Sequence, residues 1–343
     1  MLLRRMKWAA AWLMAFFMVM CSSCKADAPA RFQKSYLDLF DTVTTILGYE
    51  TSPEAFEETA ERISTQLVEY DHLYDIYEEY PDLVNLCTIN AHPGEILAVD
   101  QRIIDLLLLA REIDEISGHR TDAMFGAVLK IWHTAREEGI EHPENARLPE
   151  QTALENAEKH TGFQFLEIDP DQRTVCLTDP EASLDVGALA KGYAVQRVSE
   201  MLPEGYLLSV GGNVAATGPK PDGSSWTVGV QNPDGAGESY LHKVRLARGS
   251  VVTSGDYQRY YIVDGTRYHH IIDPETLYPG KQWRAVTVIM DDSGLADALS
   301  TTLFLLDQEA GQKVLDRYGA VAMWIREDGT QIFSPGYEDY LIR

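Results

Sequence analysis

The stretch Leu184-Asp185-Val186-Gly187-Ala188-Leu189-Ala190-Lys191-Gly192-Tyr193-Ala194 reads as an extended segment running into a helix. An apolar lead-in stops at Asp185, small residues follow, and the helical pattern then carries one cation, Lys191. Gly and Ala at such a turn let a ligand approach the backbone, and the first amides of the helix face it. Lys191 is placed to reach an anion, and Asp185 to accept from hydroxyl or amide donors. The same pattern also suits an ordinary loop before an ordinary helix, because Gly near a helix start is common.

On the C-terminal side the helix is expected over 188–202, then a strand over 206–210 running into Gly211-Gly212-Asn213. Further strands are expected at 226–230, 240–246, 250–253, 259–263, 268–272, 285–290 and 320–325, with helices at 295–306 and 309–318. Asp222-Gly223 and Asp264-Gly265 are read as tight hairpin turns. On the N-terminal side residues 40–49 alternate like a strand. Ser52-Pro53-Glu54 starts a helix that buries Phe56, Ile63, Leu67 and Tyr70. Residues 74–90 are aromatic and irregular. Asp100 opens a helix with Ile103, Ile104, Leu107, Leu108 and Ile113 inside and Gly118 just past its end. Residues 123–136 are helical again with Phe125, Leu129 and Trp132 on one side, 149–160 form a short helix, and 175–177 form a strand. Helices and strands do not alternate regularly. The expected class is therefore α+β, mixed or antiparallel sheets flanked by helices.

The chain has 343 residues, with 29 Lys and Arg against 53 Asp and Glu, a formal charge of −24. That field repels phosphate backbones, which argues against a nucleic-acid partner. An anionic ligand would need local positive charge, for which a divalent metal is the obvious source. Arg4, Arg5 and Lys7 precede an apolar run over 8–20, too short to span a bilayer, which reads as a secretory leader. It ends in Cys21-Ser22-Ser23-Cys24, similar to a bacterial lipoprotein cleavage box with Cys24 as the acylated residue. The alternative is a plain leader with an incidental cysteine. The expected organisation is a leader over 1–23, a tether over 24–35 and one domain over 36–343, held outside the cytoplasm by a lipid anchor. Cys87 and Cys176 give no disulfide framework, and no Cys/His cluster suggests zinc.

Three constellations join the opening stretch. Thr253-Ser254-Gly255-Asp256 places hydroxyls at a strand end, where they suit a ligand or simply a turn. His269-His270-Ile271-Ile272-Asp273-Pro274 offers a His as candidate general base, although a lone His is more often structural. Asp297 and Thr301 are four apart and share a helix face, a carboxylate and a hydroxyl of the kind Mg²⁺ accepts.

Together these stretches resemble the ApbE family of FAD:protein FMN transferases. The resemblance rests on residues 184–194, Gly211-Gly212-Asn213, residues 253–256, His270 to Pro274 and residues 296–301. Weaker matches are Phe40-Asp41-Thr42, Asn90 and residues 122–132. It implies an exported, often lipid-anchored enzyme that uses FAD and Mg²⁺ and attaches FMN through a phosphoester to a Thr or Ser of a partner flavoprotein. Such partners are commonly subunits of Nqr- or Rnf-type membrane redox complexes. By position, Asp185 and Lys191 would contact FAD. The carbonyl of Ala188 would join Asp297 and Thr301 around the metal. Thr121, Asp122, Ala123, Phe40, Tyr80 and Ile271 would line the flavin site, with Thr253 and Ser254 beside it, and His270 would take the acceptor's proton. The sequence departs from the family at Ala188, Phe40-Asp41, Thr121, Ala127, Glu275 and Leu277, none of which removes a metal ligand. Two competing readings share these residues: an Mg²⁺-dependent FAD pyrophosphatase, and a flavin-binding lipoprotein without catalysis.

Overall fold

In Ala285-Val286-Thr287-Val288-Ile289-Met290 five successive residues are buried. Side chains of a strand alternate between two faces, so such a run needs cover on both. The computed structural model, which describes residues 28–40, 42–235 and 240–342, supplies that cover. The leader, Cys24 and Asp41 lie outside the described residues. The centre is an eight-stranded sheet: β1 (Ala30–Leu39), β2 (Thr42–Glu50), β3 (Tyr206–Val210), β4 (Asn213–Ala216), β5 (Gly249–Gly255), β6 (Ala285–Met290), β7 (Val321–Ile325) and β8 (Gln331–Phe333). Its strands lie side by side in chain order and every pairing is antiparallel. The fold is thus one meander with long insertions between its strands.

Between β2 and β3 come six helices: α1 (Pro53–Tyr74), α2 (Leu86–Ala91), α3 (Gln101–Ile116), α4 (Gly126–Glu141), α5 (Gln151–Glu158) and α6 (Ala190–Ser199). Between β6 and β7 come α7 (Ser293–Leu305) and α8 (Gln308–Tyr318). Ser52 caps α1 by accepting from Ala55 N–H at 3.2 Å, and Phe56, Ile63, Leu67 and Tyr70 are buried as expected. Asp292 caps α7, most of which is buried between the sheet and α6. Leu208, Val210, Val252, Val286, Val288 and Trp324 face these helices. Their sequence neighbours Leu207, Val251, Ala285, Ile289, Met323 and Ile325 face a hairpin of strands Trp226–Gln231 and Tyr240–Leu246. A second hairpin, Tyr260–Val263 with Thr266–His269, packs on α4 through Tyr261, Val128 and Trp132.

Several expectations change. Residues 30–35, expected in the tether, belong to β1. Leu108, expected inside, is 37% exposed. Asp264-Gly265 is a two-residue hairpin turn with φ of 49° and 77°, the double positive φ its type requires. Asp222-Gly223 turns the chain but closes no hairpin, because β4 pairs with β5 and strand Trp226–Gln231 pairs with Tyr240–Leu246. The helix expected from 123 starts at Gly126, since Asp122 Oδ1 accepts from Met124 N–H and holds a turn there. The strand expected over 268–272 breaks after His269, whose Nδ1 accepts from Ile271 N–H. The helix expected over 188–202 spans only Ala190–Ser199. Cys87 and Cys176 are both free thiols, as expected.

Candidate active site

The site begins where α6 crosses α7. A Cβ on Gly192 would lie 2.3 Å from the Ser293 carbonyl oxygen and 2.4 Å from Asp297 Cβ, so only glycine permits this approach. Gly192 N–H donates to Asp297 Oδ2 at 2.8 Å, and Asn213 Nδ2 donates to the same oxygen at 2.9 Å. The carboxylate, 5% exposed, is therefore fixed through one oxygen. The regular helical acceptor for Gly192 N–H would have been the carbonyl of Ala188. Asp297 takes that donor instead, and the Ala188 carbonyl receives none among the described residues. Lys191 Nζ donates to the Gly187 carbonyl at 3.4 Å, and Gly187 N–H to Asp185 Oδ1 at 2.9 Å.

The sheet brings up the second part. Ser254, on β5, lies 2.7 Å from Ser300 Oγ and 3.2 Å from Thr301 Oγ1. Ser300 Oγ in turn donates to the carbonyl of Asp297. At the same end of the sheet lie the β3–β4 turn, Gly211-Gly212, and the β1–β2 turn with Phe40. Phe40 takes φ of 51° and its N–H donates to Asp71 Oδ2.

The third part is the loop into α6. Asn90 clamps Leu184 through both main-chain groups, donating to its carbonyl at 3.0 Å and accepting its N–H at 2.7 Å. Asp185 N–H donates to the Ala123 carbonyl, and Gly126 N–H to the Ser183 carbonyl. Residues 122–126 and 183–185 are thus sewn into one wall. Desolvation raises the carboxyl of Asp185 and pushes that of Asp122 up to about 6.

His270 completes the site. Its main-chain N–H donates to the Arg259 carbonyl at 3.1 Å, and its Nδ1 is buried without a hydrogen-bond partner among the described residues. Desolvation, then the charges of Arg259, His269, Arg136 and Lys191, push its imidazole down to about 3. The ring is therefore neutral at pH 7, as the sequence suggests, but through burial and a cationic surround rather than an ordinary titration. His269 is structural: its Nδ1 accepts from Ile271 N–H, its Nε2 donates to the Gly280 carbonyl at 2.7 Å, and its ring packs edge-on against Phe304.

The structure gathers Ala188, Lys191, Ser254, Asp297 and Thr301 around the α6–α7 crossing, with Asp185 in the loop that leads into α6 and His270 within the field of Lys191. Ile271 is buried beside His270. Three expected ligand contacts are spent elsewhere. Thr253 points to the other face of the sheet, where its Oγ1 lies 2.9 Å from that of Thr287. Thr121 is buried with its hydroxyl 2.9 Å from that of Thr302. Tyr80 stacks on His72 at 3.9 Å and donates to Asp75 Oδ2. Tyr77, 60% exposed, stands instead beside His133 with ring centroids 5.1 Å apart, in the field of Asp185. Sequence reasoning counted Tyr77 among the aromatics of residues 74–90 that could stack on a flat ring, and gave no role to His133, Arg136 or Arg259. Helical spacing held one signal, since His133 and Arg136 are three apart on α4 and share a face.

With this geometry in place, the chain can be set beside known proteins. The ApbE family model matches residues 40–325. The chain belongs to the ApbE family. It is 31% identical over 274 residues to the FAD:protein FMN transferase of Treponema pallidum, covering 74% of each chain. It is 29% identical over 286 residues to that of Klebsiella pneumoniae, covering 79% of this chain and 83% of the relative. The crystal structure of the ApbE protein from Thermotoga maritima superposes with a TM-score of 0.81 at 29% identity, covering 92% of this chain and all of that one. The flavin transferase ApbE from Vibrio cholerae shares the fold, with a TM-score of 0.76 at 24% identity over 91% of this chain and all of that one. The α+β architecture read from the sequence is thus the ApbE fold.

Proposed function

We propose that this ApbE-family chain transfers FMN from FAD to a threonine or serine hydroxyl of a partner flavoprotein and releases AMP. The observation that carries this reading is the diverted Gly192 N–H. It locks one oxygen of Asp297 and leaves the Ala188 carbonyl without a donor, beside a lysine on the same helix start. A site built only to hold an apolar ring has no use for such an arrangement of free oxygens and charge.

The residues present fit Mg²⁺. The Ala188 carbonyl, the second oxygen of Asp297 and the Thr301 hydroxyl are hard oxygen donors, two of them on one face of α7. Bound there, the ion supplies neutralisation of charge on the diphosphate oxygens. The chain's own groups do the rest. Lys191 adds a positive charge, and Asp185 and the 122–123 wall orient the flavin half. The acceptor hydroxyl oxygen forms a new bond to the FMN phosphorus, and the bond from that phosphorus to the bridging oxygen breaks. The bridging oxygen leaves with AMP, and the hydroxyl proton passes to His270. His270 is a weak base in the free protein. An anionic substrate among Lys191, Arg136 and Arg259 offsets their field and raises its affinity for the proton.

The acceptor is proposed to be a subunit of an Nqr- or Rnf-type membrane redox complex. Acylation of Cys24 would hold the chain at the outer surface of the cell membrane where such a subunit is reached. The test is direct: the mature protein, FAD, Mg²⁺ and a Thr-bearing acceptor domain should give an acceptor that stays fluorescent on a denaturing gel. An acceptor that stays dark while FAD remains intact overturns the proposal. Free FMN and AMP formed at the full rate without acceptor would make the protein a pyrophosphatase.

A further inference from the structure

Two guanidinium groups in the field of His270 have so far been given no contact with the substrate. Arg136 is on α4 and Arg259 directly precedes the hairpin strand Tyr260–Val263. The hairpin sits hard on α4: a Cβ on Gly139 would lie 2.5 Å from the Tyr261 ring. That contact brings the two arginines together. Arg136 is tied at one end, donating to His133 Nδ1 at 2.7 Å, while His133 Nε2 lies 3.0 Å from Glu137. His133 thereby stands between Arg136 and Glu137, and its ring meets Tyr77. Although acids outnumber bases 53 to 29, neither Arg136 nor Arg259 forms an ion pair among the described residues. Arg120, Arg197 and Arg284 all do. Burial and the facing Arg259 hold the Arg136 guanidinium below its ordinary value, so the two cations repel. Two such cations placed together without an ion pair, in the longer-range fields of Asp185 and Glu137 and beside His270, form a site for an anion that arrives with a ligand.

We propose that Arg136 and Arg259 jointly bind the non-bridging oxygens of the phosphoryl group that is transferred, and so bind the FMN half of FAD rather than its AMP half. The assignment rests on the transferase reading above. In an in-line displacement the incoming hydroxyl and the leaving oxygen stand on opposite sides of phosphorus. His270 belongs to the incoming side, and Arg259 is joined to His270 through its own carbonyl. Cations there face the phosphoryl oxygens that remain with FMN. Arg is suited to the task because its planar fork matches two phosphate oxygens at once.

Binding of four probes separates the possibilities: FAD, FMN, AMP and riboflavin, each titrated by calorimetry onto the wild-type protein and onto Arg136→Ala, Arg259→Ala and the matching Lys variants. Each Ala variant should lose about 10- to 100-fold in affinity for FAD and FMN, as expected when a charge-assisted hydrogen bond is removed. Riboflavin and AMP affinities should stay within twofold of wild type, and Lys should recover part of the loss. Equal weakening of riboflavin would mean a merely structural role and overturn the proposal, as would a loss confined to AMP or no loss at all. These outcomes leave the transferase reading standing. Failure of the wild-type protein itself to bind FAD would sink that reading and this one together.

Discussion

The two faces of the central sheet are built from alternate residues of the same strands, yet they carry different things. Toward the 226–246 hairpin the sheet presents Leu207, Ala216, Val251, Ala285, Ile289 and Met323, with Thr253 and Thr287 satisfying one another. Toward α6 and α7 it also presents Asn213 and Ser254, and these meet Asp297, Ser300 and Thr301. Buried polar groups are tolerated only when partnered, so each one on the helical face fixes its neighbour's position. The difference teaches that the hairpin face is given over to apolar packing, while the helical face, which packs the larger core, also holds oxygens in place at a cost in stability. The largest test is Asp297→Ala. It should lower flavin transfer by at least about 10²–10³-fold, the loss seen when a preorganised charged group is removed. It should also leave Gly192 N–H and Asn213 Nδ2 without an acceptor, at about 1–3 kcal/mol. Covalent fluorescence of the acceptor and a thermal melt read the two effects, and retained transfer would break the comparison.

His270→Ala comes next. Loss of a positioned base should lower transfer by about 10²–10⁴-fold, with the fold little changed because His270 Nδ1 has no partner to lose. The same residue gives a pH test. Its folded imidazole is held down to about 3, whereas an unfolded one titrates near ~6.5. Between those values the unfolded chain binds the extra proton, so this group makes stability fall as pH falls through that window. In NMR the free protein's His270 should titrate well below 6.5 and shift upward when FAD is bound. An ordinary value in the free protein would remove the cationic surround from the argument.

On the opposite face, Trp226→Ala removes a ring that is 3% exposed and whose Nε1 donates to the Gly218 carbonyl. A loss of about 3–5 kcal/mol is expected, the usual cost of emptying so large a core site. Transfer per folded molecule should not change. A parallel fall in activity, measured on the folded fraction, would show that the two faces are not separable.

Much of this division was legible in the sequence. Alternation marked β2, and the capping residues Ser52 and Asp100 marked α1 and α3. The spacing of Asp297 and Thr301 placed them on one helix face. The sequence did not show what lies opposite what. Ser254 and Thr253 look equivalent in a string, yet one turns toward α7 and the other away, a matter of register against Thr287 and Ser300. Tyr80 and Tyr77 are three apart in an irregular stretch, where no period tells which ring meets His133 and which meets His72. Arg136 and Arg259 are separated by more than a hundred residues and meet only because a hairpin seats on Gly139. Gly192 looked like an ordinary glycine in the first turns of the helix expected over 188–202, whereas its role is a helix crossing that redirects one amide.

Asp122→Asn is the smallest effect and the one that sharpens the comparison most. Asp122 belongs to the wall beside the site, where its Oδ1 accepts from Met124 N–H at 2.7 Å and burial pushes its carboxyl up to about 6. An unfolded aspartate titrates near ~3.9, so between about pH 4 and 6 the folded protein holds the extra proton. Its contribution is therefore favourable in acid and turns into a penalty as pH rises through 6. Asparagine keeps an acceptor for Met124 N–H and cannot ionise. The variant should be more stable than wild type by on the order of 1–2 kcal/mol at pH 7, a figure reduced for partial solvation. The gain should shrink toward zero near pH 4. Flavin affinity should fall at the same time, because the carboxylate on the site's wall has gone. Melts at pH 4, 5 and 7 with a parallel FAD titration check both halves. A variant no more stable at pH 7 would mean that this wall is not held at a cost to the fold, and that the helical side of the molecule is no more strained for function than the hairpin side.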